Sequence, residues 1–157
     1  MNQLTPCLWF DTQAEEAANL YVSIFKNSKI NYVSRYNEEG ARDGGTVMMV
    51  AFELDGKPFT ALNGGPQFAF NESVSFQIGC SGQEEVDHFW DRLSGGGEEG
   101  NCGWLKDRFG VSWQVIPSEL GELMGNPDPA KSGAATKAML SMKKIDIAAM
   151  RAAADAA

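Results

Sequence analysis

The chain of 157 residues holds one histidine, His88, and three cysteines, Cys7, Cys80 and Cys102. Residues that most often ligate metals or act as nucleophiles are therefore few and scattered. The cysteines make no Cys-x-x-Cys pair, which argues against a four-ligand zinc centre and a disulfide framework; they read as reduced, buried thiols. His88 stands four residues from both Glu84 and Arg92, the pattern of a solvated helix face and not of a metal site. Ser75, Ser112 and Cys80 have no histidine to serve as a base. Asp107 beside Lys106 could form an acid and base pair at a cavity mouth, or a solvated salt bridge at a hairpin turn. These two are the weak catalytic candidates. Trp9 and Trp104 could be walls for a planar ligand or core residues, and Met139, Met142 and Met150 read as packing.

Composition sets the bounds within which such residues must work. With 43% hydrophobic and 22% charged residues, the chain can build one or at most two compact domains with a sizeable core. A net charge of −8 is the wrong sign for a phosphate backbone or an anionic membrane, so neither nucleic acid nor membrane is an expected partner. No run approaches the roughly 18 apolar residues of a bilayer span, and residues 1–6 lack a basic region and apolar signal core, so a cytoplasmic location is expected. Charge is also uneven. From Ala130 onward, Lys131, Lys137, Lys143, Lys144 and Arg151 face only Asp146 and Asp155, a net of +3 that leaves −11 on the rest.

Hydrophobic periodicity supplies the elements. Residues 4–10 read as a strand, and Asp11-Thr12 offer N-cap chemistry for a helix over 13–26 with Ala17, Leu20, Tyr21 and Ile24 at helical spacing. Extended runs follow at 29–36 and 46–54, and Asp55-Gly56 is a hairpin signal leading to a strand that ends near Asn63. The second half repeats the plan with a strand at 74–80, a helix at 83–93, a loop at Gly95-Gly96-Gly97, and extended pieces at 98–101, 103–107 and 111–116. Laying Glu15-Glu16 on Glu84-Glu85 places Leu20, Tyr21 and Ile24 on Phe89, Trp90 and Leu93, an offset of 69 residues. A long repeat present twice reads as two modules about a pseudo-twofold axis.

The expected class is α+β, with two βαβββ modules (1–66 and 72–117) and a short helix at 118–125 forming a paired domain over 1–127. A helical tail, 128–157, begins at Asp128-Pro129 and runs to about 144, with a break at 144–146 and a second short helix after Asp146. This cationic tail could fold back on its own acidic chain or lie across a second copy and hold a homodimer.

Strand parity separates two faces, because successive side chains point to opposite sides. Pro6, Leu8 and Phe10, then Val74, Phe76 and Ile78, then Val111, Trp113 and Val115 should pack on the helices. The opposite parities carry Thr5, Cys7 and Trp9, then Ser75 and Gln77, then Ser112 and Gln114, which are mostly small or polar and costly to bury alone. This predicts a cup-shaped mixed sheet with helices outside and a ligand-holding cavity inside.

Several segments carry a family resemblance: Thr5-Pro6-Cys7-Leu8-Trp9-Phe10, Ala14-Glu15-Glu16-Ala17 with Tyr21 and Phe25, the stretch 103–117, and the tail stretch 138–147 with its Met-Lys-Lys-Ile-Asp-Ile run. Across essentially the whole chain they resemble PhnB-like proteins of the glyoxalase, bleomycin-resistance and ring-cleaving dioxygenase superfamily, called vicinal oxygen chelate. The resemblance implies two βαβββ modules around a cavity, within a homodimer. Enzymes of that superfamily hold a divalent metal with His and Glu side chains from four strands. Carried over, the positions fall near Thr5 or Cys7, near Ala61 or Asn63, on Ser75 and on Gln114. None is a histidine or carboxylate, so no metal ligand and no cofactor is expected, and a divalent metal is doubtful. Many relatives are labelled demethylubiquinone methyltransferase, yet neither Gly64-Gly65-Pro66 nor Gly95-Gly96-Gly97 makes the Gly-x-Gly-x-x-Gly turn of a nucleotide-type fold.

The leading expectation is a small-molecule binding protein whose cup is lined by Thr5, Cys7, Trp9, Asn63, Ser75, Gln77, Trp104 and Gln114, without a metal. One alternative is a metal-dependent lyase, isomerase or dioxygenase with atypical ligands, or a metal-free enzyme using Asp107 or Lys106. A second is a dimeric module with no ligand. The identity of the small molecule is not legible from these residues.

Overall fold

The computed structural model describes residues 3–40 and 42–157. Two compact units emerge, Met1–Phe70 and Asn71–Ala157. The first contains β1 (Cys7–Phe10), α1 (Ala14–Ile24), β2 (Lys29–Arg35), β3 (Val47–Leu54) and β4 (Lys57–Asn63). Its sheet has the order β1-β4-β3-β2, with β1 parallel to β4 and the other pairs antiparallel. Asp55 (φ 48°) and Gly56 (φ 71°) both adopt the left-handed conformation that a two-residue hairpin requires, and they join β3 to β4.

The second unit repeats this layout with β5 (Ser75–Cys80), α2 (Gln83–Ser94), β6 (Glu98–Glu99), β7 (Trp104–Lys106) and β8 (Ser112–Pro117), in the order β5-β8-β7-β6. Here too the outer pair, β5 and β8, is parallel. Both modules close alike: Gly64 N–H donates to the Phe10 carbonyl, and Ser118 N–H to the Cys80 carbonyl, each at 2.9 Å. Phe10 and Asn63 are thus the counterparts of Cys80 and Pro117. The 69-residue offset holds at the first residues of the helices, Ala14 and Gln83, but becomes 70 between Phe10 and Cys80. One residue fewer connects β5 to α2, and that shorter connector keeps the apolar face of each strand on its helix; an unadjusted offset would turn the faces over.

The helix starts differ from expectation as well. The residue before α1 is Gln13, with no side-chain cap of its own; neither Asp11 nor Thr12 fills that role. Instead Asn63 at the end of β4 accepts from the Ala14 N–H at 2.8 Å, a cap supplied from elsewhere in the chain. In the first core Tyr21 and Phe52 pack ring to ring, and Leu8, Phe10, Val50 and Ala61 are also buried. In the second, Trp90 and Leu93 of α2 are buried, as are Leu105, Trp113 and Val115. Val74, expected on the core side, precedes β5 and is exposed.

A short helix, α3 (Glu119–Met124), precedes the tail, which forms α4 (Pro129–Leu140) and α5 (Ile147–Asp155). Asp128 caps α4 through the Ala130 N–H, and Asp146 caps α5 through the Ala149 N–H. Helix α4 ends at Leu140, short of the expected 144, because the chain beyond it turns to other partners. Met142 and Lys143 carbonyls accept from the N–H groups of Cys102 and Gly103 at 2.9 and 2.8 Å. Ala135, Ile145, Met150 and Ala154 form a buried cluster with Leu120, Leu123, Met124, Met139 and Met142. Gln83 of α2 grips the break with both ends of its amide, donating to the Ile145 carbonyl (2.9 Å) and accepting from the Ile147 N–H (3.0 Å). Lys144 sits between Asp87 (3.0 Å) and Asp91 (3.3 Å). The tail therefore folds back on its own chain. Among the described residues no helix is long and apolar enough to cross a membrane.

Candidate functional site

The second sheet presents one apolar and one polar side. Trp113 and Val115 of β8 and Ile78 and Cys80 of β5 are buried, with Phe76 beside Trp113 at a ring distance of 5.4 Å. The alternate residues line the other side, where register sets Ser75 against Ser112, Gln77 against Gln114, and Trp104 also against Gln114. Parallel pairing thus brings two amides and a hydroxyl together. Gln114 donates through Nε2 to Ser75 Oγ at 2.8 Å, and Gln77 donates through Nε2 to Gln114 Oε1 at 3.3 Å. The network carries no net charge and offers donors and acceptors of both signs, the chemistry of a polar, uncharged binding surface.

On the first sheet the corresponding pair is Cys7 with Thr60, followed by Trp9 with Leu62. Counting from the matched closures, Cys7 and Thr60 stand where Gln77 and Gln114 stand in the second module. The fourth-strand candidates Ala61 and Asn63 pair instead with Leu8 and Phe10. Ala61 is buried on the helix side. Asn63 is 6% exposed, and its amide is spent on the Ala14 N–H and, through Nδ2, on the Val47 carbonyl at 3.1 Å. Thr5 lies ahead of β1 and is exposed. Trp9 is held edge-on to Phe68 at 5.0 Å, with its indole N–H on the Gly65 carbonyl at 2.8 Å. A Cβ at Gly64 would come within 2.2 Å of that ring, so glycine there is a steric condition of Trp9's position.

Asp107 and Lys106 do not pair as a solvated turn bridge. Asp107 is 2% exposed, and its carboxylate accepts from the Phe109 N–H (2.9 Å), the Val111 N–H (3.1 Å) and the Trp113 indole N–H (2.9 Å). It organises the turn between β7 and β8. Asp at the head of Asp-Arg-Phe-Gly was the available signal, since such a side chain bonds the backbone two residues on. Lys106 reaches the other way, to Glu72 and to Glu98 at 3.8 Å. Their hydrogen bond holds the Lys106 amine above its ordinary range and the Glu72 carboxyl below its own.

Glu72, Glu98, Trp104, Lys106 and Ser112 line a cavity of about 150 Å³. Glu72 and Glu98 escaped the sequence reading because only the pairing of β6 with β7 sets Glu98 opposite Lys106. The thiols also diverge from expectation: Cys7 is exposed, Cys102 partly so, and only Cys80 is buried. Burial, helped by Glu85, pushes the Cys80 thiol up to about 11. His88 is half-buried, with its ring 5.0 Å from that of Phe89. Among the described residues, no group of three or more His, Cys, Asp or Glu is placed to hold a metal ion.

Residues 2–116 match the family described as 3-demethylubiquinone-9 3-methyltransferase. Among solved structures, a PhnB protein from Bacillus cereus is 33% identical with a TM-score of 0.69, over 74% of this chain and 100% of that one. A protein from Pseudomonas aeruginosa (17%, TM-score 0.59) covers 74% of this chain and 98% of its own. The fosfomycin resistance protein FosX from Listeria monocytogenes (22%, TM-score 0.52) covers 77% and 94%. These last two show the shared fold alone. No curated protein matches.

Proposed function

The chain belongs to the 3-demethylubiquinone-9 3-methyltransferase, or PhnB-like, family and has the glyoxalase and bleomycin-resistance type of fold, and from that premise we propose that it binds a small organic molecule without a divalent metal. The observation that carries the reading is the Ser75, Gln77 and Gln114 network. Ser75 and Gln114, a hydroxyl and an amide, stand at the two second-sheet positions where the superfamily resemblance places metal ligands, and Gln77 extends the network. On the first sheet Thr60 matches Gln114, and Thr5 matches Ser75. Neutral amides and hydroxyls replace a cation's hydration without balancing its charge, so this donor set does not fit a divalent metal. On the second sheet it does fit a ligand that exchanges hydrogen bonds, with Trp104 as a flat apolar contact. The reading includes a homodimer and excludes nucleic acid.

Methyl transfer finds little support in the fold. The Gly-rich segments follow a sheet strand, β4, and a helix, α2; neither is the strand-to-helix turn of a parallel sheet that cradles a nucleotide-like methyl donor. One observation favours metal-dependent catalysis as a second reading. A FosX structure from Listeria monocytogenes, 20% identical with a TM-score of 0.50, is complexed with Mn(II) and sulfate. Dialysis against Mn(II) followed by metal analysis separates the two. The expected result is no retained metal in the natural chain and measurable retention after Ser75→His with Gln114→Glu, which supplies an imidazole and a carboxylate. One Mn(II) per natural chain, lost in Gln114→Leu, would contradict the metal-free reading.

A further inference from the structure

The cavity on the second unit contains an unusual group. Ser112 is 1% exposed, and its Oγ has no hydrogen-bond partner among the described residues. A buried hydroxyl that has lost water and gained nothing is rare in folded proteins. Ser112 is one of the residues that wall the cavity. Register sets Lys106 opposite Ser112 and Glu98 opposite Lys106. The Lys106 ammonium touches the carboxylates of Glu72 and Glu98, so one positive charge faces two negative ones. Glu99, the remaining charged group on the wall, is engaged by the Trp90 indole N–H (3.1 Å) and by Lys143 (3.9 Å). Trp104 is also part of the wall, and an indole beside carboxylates favours a cation.

We propose that this cavity is the subsite for a protonated primary amine on the bound molecule, with the ammonium donating to Ser112 Oγ and to the Glu98 carboxylate and its carbon chain lying on Trp104. The proposal rests on the reading that the polar face of the second sheet binds a small organic molecule, and it names that molecule's chemical class. An anion would have to take Lys106 from both carboxylates and then sit beside them. A neutral group would satisfy Ser112 but leave the excess negative charge unmatched. Because Glu72 and Glu98 are largely exposed, the charge contribution is screened and falls with salt.

The test is titration of the full-length, isotopically labelled chain at low salt with benzylamine, benzyl alcohol and benzoate, followed by NMR. Benzylamine is expected to shift the Ser112 and Lys106 amides and the Trp104 indole N–H saturably, and to do so more tightly than the other two. Ser112→Ala is expected to weaken benzylamine about fivefold, the loss of roughly one hydrogen bond. Glu98→Gln should weaken it and flatten its salt dependence. Equal or tighter binding of benzoate or benzyl alcohol would overturn the proposal, as would an unchanged benzylamine affinity in both variants. Shifts confined to the Gln77 and Gln114 side-chain amides would also overturn it, while leaving the ligand-binding face itself intact.

Discussion

Asp107 satisfies three donors of its own hairpin, two backbone N–H groups and the Trp113 indole, so its role is read from what its removal would strand. Asp107→Ala is expected to lower stability by about 3 kcal/mol, because buried donors lose their acceptor. Asp107→Asn should cost less, since the amide oxygen can keep the turn. Urea unfolding measures both, and an alanine variant as stable as the natural chain would refute the assignment. Cys80 makes a second prediction. Its folded thiol titrates near 11 against an ordinary 9.0, so the native state holds its proton longer than the unfolded chain does. Its contribution to stability is complete below pH 9.0 and is lost as pH rises through about 11. Alkylation at neutral pH should label exposed Cys7 and spare Cys80 until the chain unfolds; equal labelling would count against the burial. At this scale the alternation of polar and apolar side chains was legible, because period two is written in the order of residues. The partners of Asn63 and Asp107 were not, since a capped helix start and an indole donor become neighbours only through folding.

Gln83 does for the tail what Asp107 does for the turn. Its amide joins α2 to both sides of the break between α4 and α5, while Lys144 is shared by Asp87 and Asp91. Gln83→Ala is expected to cost about 2 kcal/mol, leaving a carbonyl and an N–H without partners, and to speed hydrogen exchange across residues 142–155. Unchanged exchange there would show that apolar packing alone secures the tail. The hydrogen bond from Gln83, and then Lys144, hold the Asp87 carboxyl below its ordinary value of 3.8. The stabilisation it adds is present above that value and disappears as pH falls through the lower folded one, so tail protection, measured against the intrinsic exchange rate at each pH, should fall in acid and less so in Asp87→Asn. Helix starts in the tail were legible from Asp128-Pro129 and Asp146. The end of α4 was not, because it is set by the turn at Cys102 and Gly103, far away in the chain.

At the scale of the whole molecule the duplication is the main organising fact, and the sequence carries it as matched helix residues. What the residue offset could not show is that β7 has three residues where β3 has eight, a trimming that removes sequence register but preserves strand order. The tail belongs to the second compact unit and covers Leu120, Leu123 and Met124 with its own apolar residues. Deleting residues 128–157 should therefore lower the unfolding midpoint and promote aggregation; an undiminished midpoint by calorimetry would contradict that role. The most direct measurement of the central claim is native mass spectrometry of gently purified, untagged chain, followed by denaturing analysis of whatever is released. The expected result is a metal-free assembly that gives up a defined organic mass carrying an amine. A stoichiometric divalent metal retained on the chain, and lost in Gln114→Leu, would contradict the account.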